Sequence, residues 1–87
     1  MRSVTSRRFR QIYAELPTDV RLHAKRAYRL FRDPSHPGLS FKKVDDEANL
    51  YSVRIGIGYR AVGKLDGDQI IWFWIGSHGD YDRLLRT

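Results

Sequence analysis

Cysteine is absent from the 87 residues, so the chain has neither a disulfide framework nor a thiolate zinc site. That fits a reducing compartment, and a cytoplasmic location is the expectation. No apolar run approaches the length of a membrane span, and the arginine-rich start has no apolar segment behind it to make a signal peptide. The mature protein is therefore expected to begin near Met1. Acidic residues are scarce: ten Asp and Glu stand against sixteen Lys and Arg, for a formal net charge of +6. Anionic partners come first on that balance, whether nucleic acid, an acidic protein or a membrane surface. The three histidines, His23, His36 and His78, share no ligand spacing, and Asp80 with Asp82 is a weak substitute, so no metal and no cofactor are expected. A phosphate-cradling glycine loop ahead of a helix, a serine triad and internal repeats are also missing.

What is present fits one domain spanning residues 1–87, large enough for a modest core and too small for a second. Its charge is uneven. Residues 1–44 hold eleven Lys and Arg against three Asp and Glu, whereas residues 45–87 hold five against seven. The first half thus carries the positive field.

Arg2 to Thr5 reads as a short edge strand, and Thr5 or Ser6 as the cap of a helix running to about Leu16. Phe9, Ile12, Tyr13 and Leu16 recur at helical spacing and give it one apolar stripe. Pro17 ends it. Thr18 then reads as the N-cap of a second helix, with Asp19 in its first turn and a buried face of Val20, Ala24, Ala27 and Phe31 reaching to about Arg32. On another face Arg21, Lys25, Arg29 and Arg32 form the densest basic stripe in the chain, either a nucleic-acid contact surface or a solvated helix face. The segment from Asp33 to Gly38 holds two prolines and a glycine and must turn.

The rest of the chain is read as a sheet. A strand from Leu39 to Val44 carries Lys42 and Lys43, which either hold a phosphate backbone or blunt an edge. From Leu50 the alternation places Tyr51, Val53, Ile55 and Ile57 on one face, and Ser52, Arg54, Gly56 and Gly58 on the other. The two glycines mark a bulge, a sharp coil or a close approach. Tyr59 to Leu65 continues the sheet, Leu65 to Asp68 is a hairpin turn, and Gln69 to Ile75 is apolar enough for its middle. Trp72 and Trp74 share a face by spacing and read as core. Asp80 to Leu85 is expected to make a last helical turn.

Four residues stand out chemically. His78 follows the most apolar strand among small Gly76, Ser77 and Gly79; an accessible imidazole there either moves a proton near neutral pH or satisfies a loop. Arg54 and Arg60 sit on the glycine-relieved face of neighbouring strand segments, where permanent planar cations suit a phosphate or else pair with Asp45, Asp46 or Glu47. Tyr81 either meets a base or anchors a C-terminal turn.

In this order and spacing the chain resembles the RelE/ParE superfamily of toxins from type II toxin–antitoxin modules. The likeness is carried by two helices ending in a proline loop, a lysine-bearing strand, Tyr51 to Arg54 leading to Gly58-Tyr59-Arg60, a hairpin, and Ile75 to His78 with a tyrosine soon after. The resemblance implies an α+β fold, two N-terminal helices on a small, twisted, mainly antiparallel sheet. It further implies a metal-independent endoribonuclease that cuts messenger RNA on the ribosome, with a cognate antitoxin as partner and no membrane. In such enzymes the 2′-hydroxyl attacks the adjacent phosphate and a 5′-hydroxyl leaves. Arg60 matches the family's phosphate-binding strand arginine, Arg54 a basic position on the preceding strand, His78 the catalytic arginine or histidine, and Tyr81 the C-terminal aromatic. Ser52 stands where some members carry a lysine, which leaves the division between general acid and general base open. Lys42, Lys43 and the stripe Arg21, Lys25, Arg29 and Arg32 would meet RNA phosphates. Related toxins that act on DNA gyrase, and non-catalytic binding members of the fold, are the alternatives.

Overall fold

The computed structural model describes residues 2–32, 41–45 and 47–86. Its elements run β1 (Arg2–Thr5), α1 (Arg7–Ala14), α2 (Thr18–Arg32), β2 (Phe41–Asp45), β3 (Leu50–Ile55), β4 (Tyr59–Asp66), β5 (Gln69–Ser77) and α3 (His78–Arg86). This is the expected α+β arrangement, and the turn expected from Asp33 to Gly38, with His36, lies outside the described residues. The five strands form one sheet in the order β1-β5-β4-β3-β2. All neighbours are antiparallel except β1, which pairs parallel to β5 with Arg2 opposite Gln69 and Thr5 opposite Trp72. The apolar strand β5 is therefore internal but not central; β4 holds the middle.

Local chemistry explains the helix boundaries. Ser6 caps α1 through its hydroxyl, which accepts from the Phe9 N–H at 3.1 Å. The second cap differs from expectation: Thr18 is already the first helical residue, and the Pro17 carbonyl accepts the first bond, from the Arg21 N–H at 3.0 Å. The Thr18 hydroxyl instead accepts from the Arg21 guanidinium at 3.2 Å.

Val20 and Ala24 of α2 bury against Val53, Ile55, Ala61, Ile70, Trp72 and Ile75, while Phe9, Ile12, Tyr13 and Leu16 of α1 pack around the same cluster. Both helices thus cover one face of the sheet. Between them a groove of about 550 Å³ opens, lined by Phe9, Tyr13, Ala24, Tyr28, Val53 and Trp72 among others.

Two irregularities set which residues reach the other face. Gly56 and Gly58, at φ +56° and +89°, form the turn from β3 to β4, so Ile57 leaves the strand alternation and is fully exposed rather than joining the face of Ile55. In β5 the register slips between Val62 opposite Trp74 and Gly63 opposite Trp72. Phe73 is the extra residue of this bulge, and it turns the two tryptophans to opposite faces. Trp72 enters the helix-side core, with its indole N–H donating to the Ser3 hydroxyl at 2.8 Å. Trp74 lies instead near Tyr81, ring centroids 6.4 Å apart. The expectation that both share a face fails because a bulge breaks a period of two.

Candidate functional site

The sheet face away from α1 and α2 carries the candidate chemistry. Arg54 and Arg60 are direct cross-strand partners, and Gly76 lies opposite Arg60 on β5. Gly76 has no side chain of its own, and the Trp74 indole of the same strand lies over it, so that an added Cβ would fall 2.7 Å from Trp74 Cζ2. The alternation that sends Val53 and Ala61 into the core sends these two arginines the other way.

His78 arrives from the far end of β5. Ser77 ends the strand and caps α3, its hydroxyl accepting from the Asp80 N–H at 3.2 Å, so His78 is the first residue of the helix. Its own N–H donates to the Gly58 carbonyl at 2.7 Å, which ties the histidine to the turn between the two arginine strands. The sequence reading placed the helix later, from Asp80.

Four side chains then converge. Arg60 Nε–H donates to His78 Nδ1 at 3.4 Å, and its guanidinium carbon lies 5.2 Å from the centre of the Tyr81 ring. His78 stacks on the same ring at 6.2 Å and 28°. Tyr81, only 7% exposed, anchors the group by its hydroxyl, 3.3 Å from that of fully buried Ser52. The Tyr81 ring is thus in contact with both Arg60 and His78. Arg54 is exposed beside them. Ser52, where a lysine was the alternative, is a structural partner of Tyr81 with no access to solvent.

Asp82, weighed in the sequence only beside Asp80 as a weak metal-ligand pair, also adjoins this group. It sits one helical turn beyond His78, its carboxylate 3.5 Å from Nε2. Ser77 followed three residues later by Asp80 is a capping-box pattern, and read as such it would have started the helix early enough to put His78 and Asp82 on one face. Asp80 itself turns away to Arg83, and that guanidinium together with the Ser77 hydroxyl holds its carboxyl below the usual range.

The expected RNA-contacting cations are scattered. Arg21, Lys25 and Arg29 belong to α2, the layer behind the sheet, and Arg21 is engaged with Thr18. Lys43 lies over the Tyr51 ring at 5.8 Å, on edge strand β2. The side chains of Arg32 and Lys42 lie outside the described residues. Among the described residues no three His, Asp or Glu side chains cluster as metal ligands would, and no helix is long and apolar enough to cross a membrane.

The sheet thus has two helices behind it and the Arg60, His78 and Tyr81 group before it. Residues 18–83 match the family model of the ParE-like toxin domain, and the chain belongs to that family, within the RelE/ParE superfamily. Solved structures share the fold. The RelB–RelE antitoxin–toxin complex from Methanococcus jannaschii matches at 22% identity over 92% of this chain and 96% of that one, with a TM-score of 0.74. The YoeB/ParE toxin from Agrobacterium tumefaciens matches at 16% identity, 90% and 99% coverage and a TM-score of 0.69. A toxin–antitoxin complex from Mycobacterium tuberculosis follows at 19%, 91% and 92%, and 0.67. No curated protein matches the chain.

Proposed function

We propose that this toxin is a metal-independent endoribonuclease that cleaves messenger RNA on the ribosome, in the cytoplasm, and that a cognate antitoxin neutralises it. The observation that carries the reading is the cluster of Arg60, His78 and Tyr81 with Arg54 across the strand pair. It has the parts that 2′-hydroxyl attack on a phosphate needs. Arg54 and Arg60 hold the phosphate and offset the charge that grows on it, and His78 moves a proton. Tyr81 fixes the height of both. In the reaction the 2′-oxygen–phosphorus bond forms as the bond from phosphorus to the 5′-oxygen breaks, leaving a cyclic phosphate and a 5′-hydroxyl. The matched antitoxin–toxin complexes support the antitoxin partner. The basic residues of α2 and β2, Arg21, Lys25, Arg29, Arg32, Lys42 and Lys43, would engage ribosomal RNA through its phosphates, an attraction that weakens steeply with salt.

The test is expression of wild type, His78→Ala and Arg60→Ala in bacteria, with 5′-end mapping of cellular RNA during growth arrest. Wild type should produce cuts inside translated frames, and each variant should stay folded and lower cleavage by about 10²- to 10⁴-fold. Membership of the ParE-like family supports a second reading, the action on DNA gyrase of the related toxins the sequence resembles, which would appear as DNA damage with intact messenger RNA. Full cleavage by both variants would remove the site assignment.

A further inference from the structure

We infer that Asp82 is a positioning residue for His78, holding the imidazole by Nε2 so that Nδ1 is the nitrogen that exchanges a proton with RNA. The inference rests on the ribonuclease reading for its reaction, and on geometry alone for its structural half. The His78 side chain is 55% exposed, and packing touches it chiefly through the Tyr81 ring, which does not distinguish one ring nitrogen from the other. Its orientation must come from its polar neighbours. Those neighbours agree with one another. The Arg60 Nε–H can only donate, so Nδ1, 3.4 Å away, accepts. The Asp82 carboxylate can only accept and lies 3.5 Å from Nε2, so its charge favours the hydrogen on that nitrogen. A half-turn of the ring would exchange each nitrogen for a carbon and lose both contacts at once. The Tyr81 ring beneath, at 6.2 Å, limits tilt.

The division of labour follows. Nδ1 is the nitrogen on the side of Arg60, hence beside the phosphate site, while Nε2 faces along the helix toward Asp82. When phosphate enters, Arg60 turns its donors to the phosphate oxygens and vacates Nδ1. The 2′-hydroxyl then loses its proton to Nδ1 as its oxygen bonds to phosphorus. The 5′-oxygen leaves with the electrons of its bond to phosphorus and takes a proton from water, and the imidazolium returns its own proton to solvent. During that interval the imidazolium has its Nε2–H against a carboxylate, which stabilises the charge where it forms. Asp82 never touches the RNA.

Two variants of the full chain separate the claims. Asp82→Asn keeps an oxygen that accepts from Nε2, whereas Asp82→Ala keeps nothing. Carbon-13 relaxation at the His78 ring should show the order of wild type in Asp82→Asn and a looser ring in Asp82→Ala. On ribosomes Asp82→Ala should lose about tenfold in kcat with KM within about twofold of wild type, and Asp82→Asn should recover most of that loss. An equally ordered ring in Asp82→Ala, a loss carried by KM, or an Asn variant as impaired as the Ala variant would overturn the inference. If wild type fails to cleave, the ring measurement still decides the positioning role, and only the ribonuclease reading falls.

Discussion

The two faces of the sheet are made by the same strands and do opposite work. On β4, Ala61 is 3% exposed under the helices, and its neighbour Arg60 points the other way onto Tyr81. On β3 the pair is Val53 and Arg54, and on β5 it is Ile75 and Gly76. Behind the sheet the contacts are apolar and continuous, from Val20 to Trp72. In front, fully buried Val62 opposite Trp74 adjoins a polar and aromatic group centred on Tyr81 over Ser52. A step of one residue thus separates the side chains that hold the fold from those proposed to do chemistry. The cost of changing each should separate in the same way.

The contrast is sharpest between Ile75→Ala and Arg60→Ala. Ile75 is 1% exposed, and truncating it should cost about 2–5 kcal/mol by urea unfolding. Arg60→Ala should cost less than about 1 kcal/mol, as expected for a side chain outside the core. Comparable losses in the two would break the division between the faces. A smaller effect is expected at Gly63, where an added Cβ would lie 2.8 Å from Trp72 Cε3 and 2.9 Å from Ile70 Cγ1. Gly63→Ala should destabilise by about 1–3 kcal/mol and alter tryptophan fluorescence, because the indole has to move. Unchanged melting and emission would mean that the helix-side packing is looser than described.

The smallest effect belongs to the front face. Asp80 is held below its ordinary value of 3.8 by Arg83 and the Ser77 hydroxyl. A depressed carboxyl stabilises the fold above its unfolded pKa and loses that contribution as pH falls through its folded one. Asp80→Asn should therefore be slightly less stable than wild type at neutral pH, with the gap closing on acidification below about 3.8. A gap that stays constant with pH would assign the effect to helix capping alone.

Much of this division was legible in the residues. The apolar spacing of α1, the alternation through β3 and the turn at Asp66-Gly67 depend on local rules, and each appears where those rules put it. Arg54, Arg60, His78 and Tyr81 were all nominated, and the fold brings them together. What sequence could not supply came from departures from a period. The bulge at Phe73 reversed Trp74, and the turn at Gly56–Gly58 released Ile57, because a register slip depends on the partner strand. The contact of Asp82 with His78 was overlooked for another reason. It exists only if α3 begins at His78, and that beginning rests on the Ser77 hydroxyl bond to Asp80.

The parallel pairing of β1 with β5 sets an order of events during synthesis. Residues 2–5 find their partners at residues 69–72, and the Ser3 hydroxyl waits for the Trp72 indole. A ribosome making this chain must therefore deliver residues 69–72 before the first strand can dock. The strand that completes this pairing ends at Ser77, and His78 follows it directly. A nascent chain would hold its first strand unpaired until shortly before the cluster around Tyr81 can assemble.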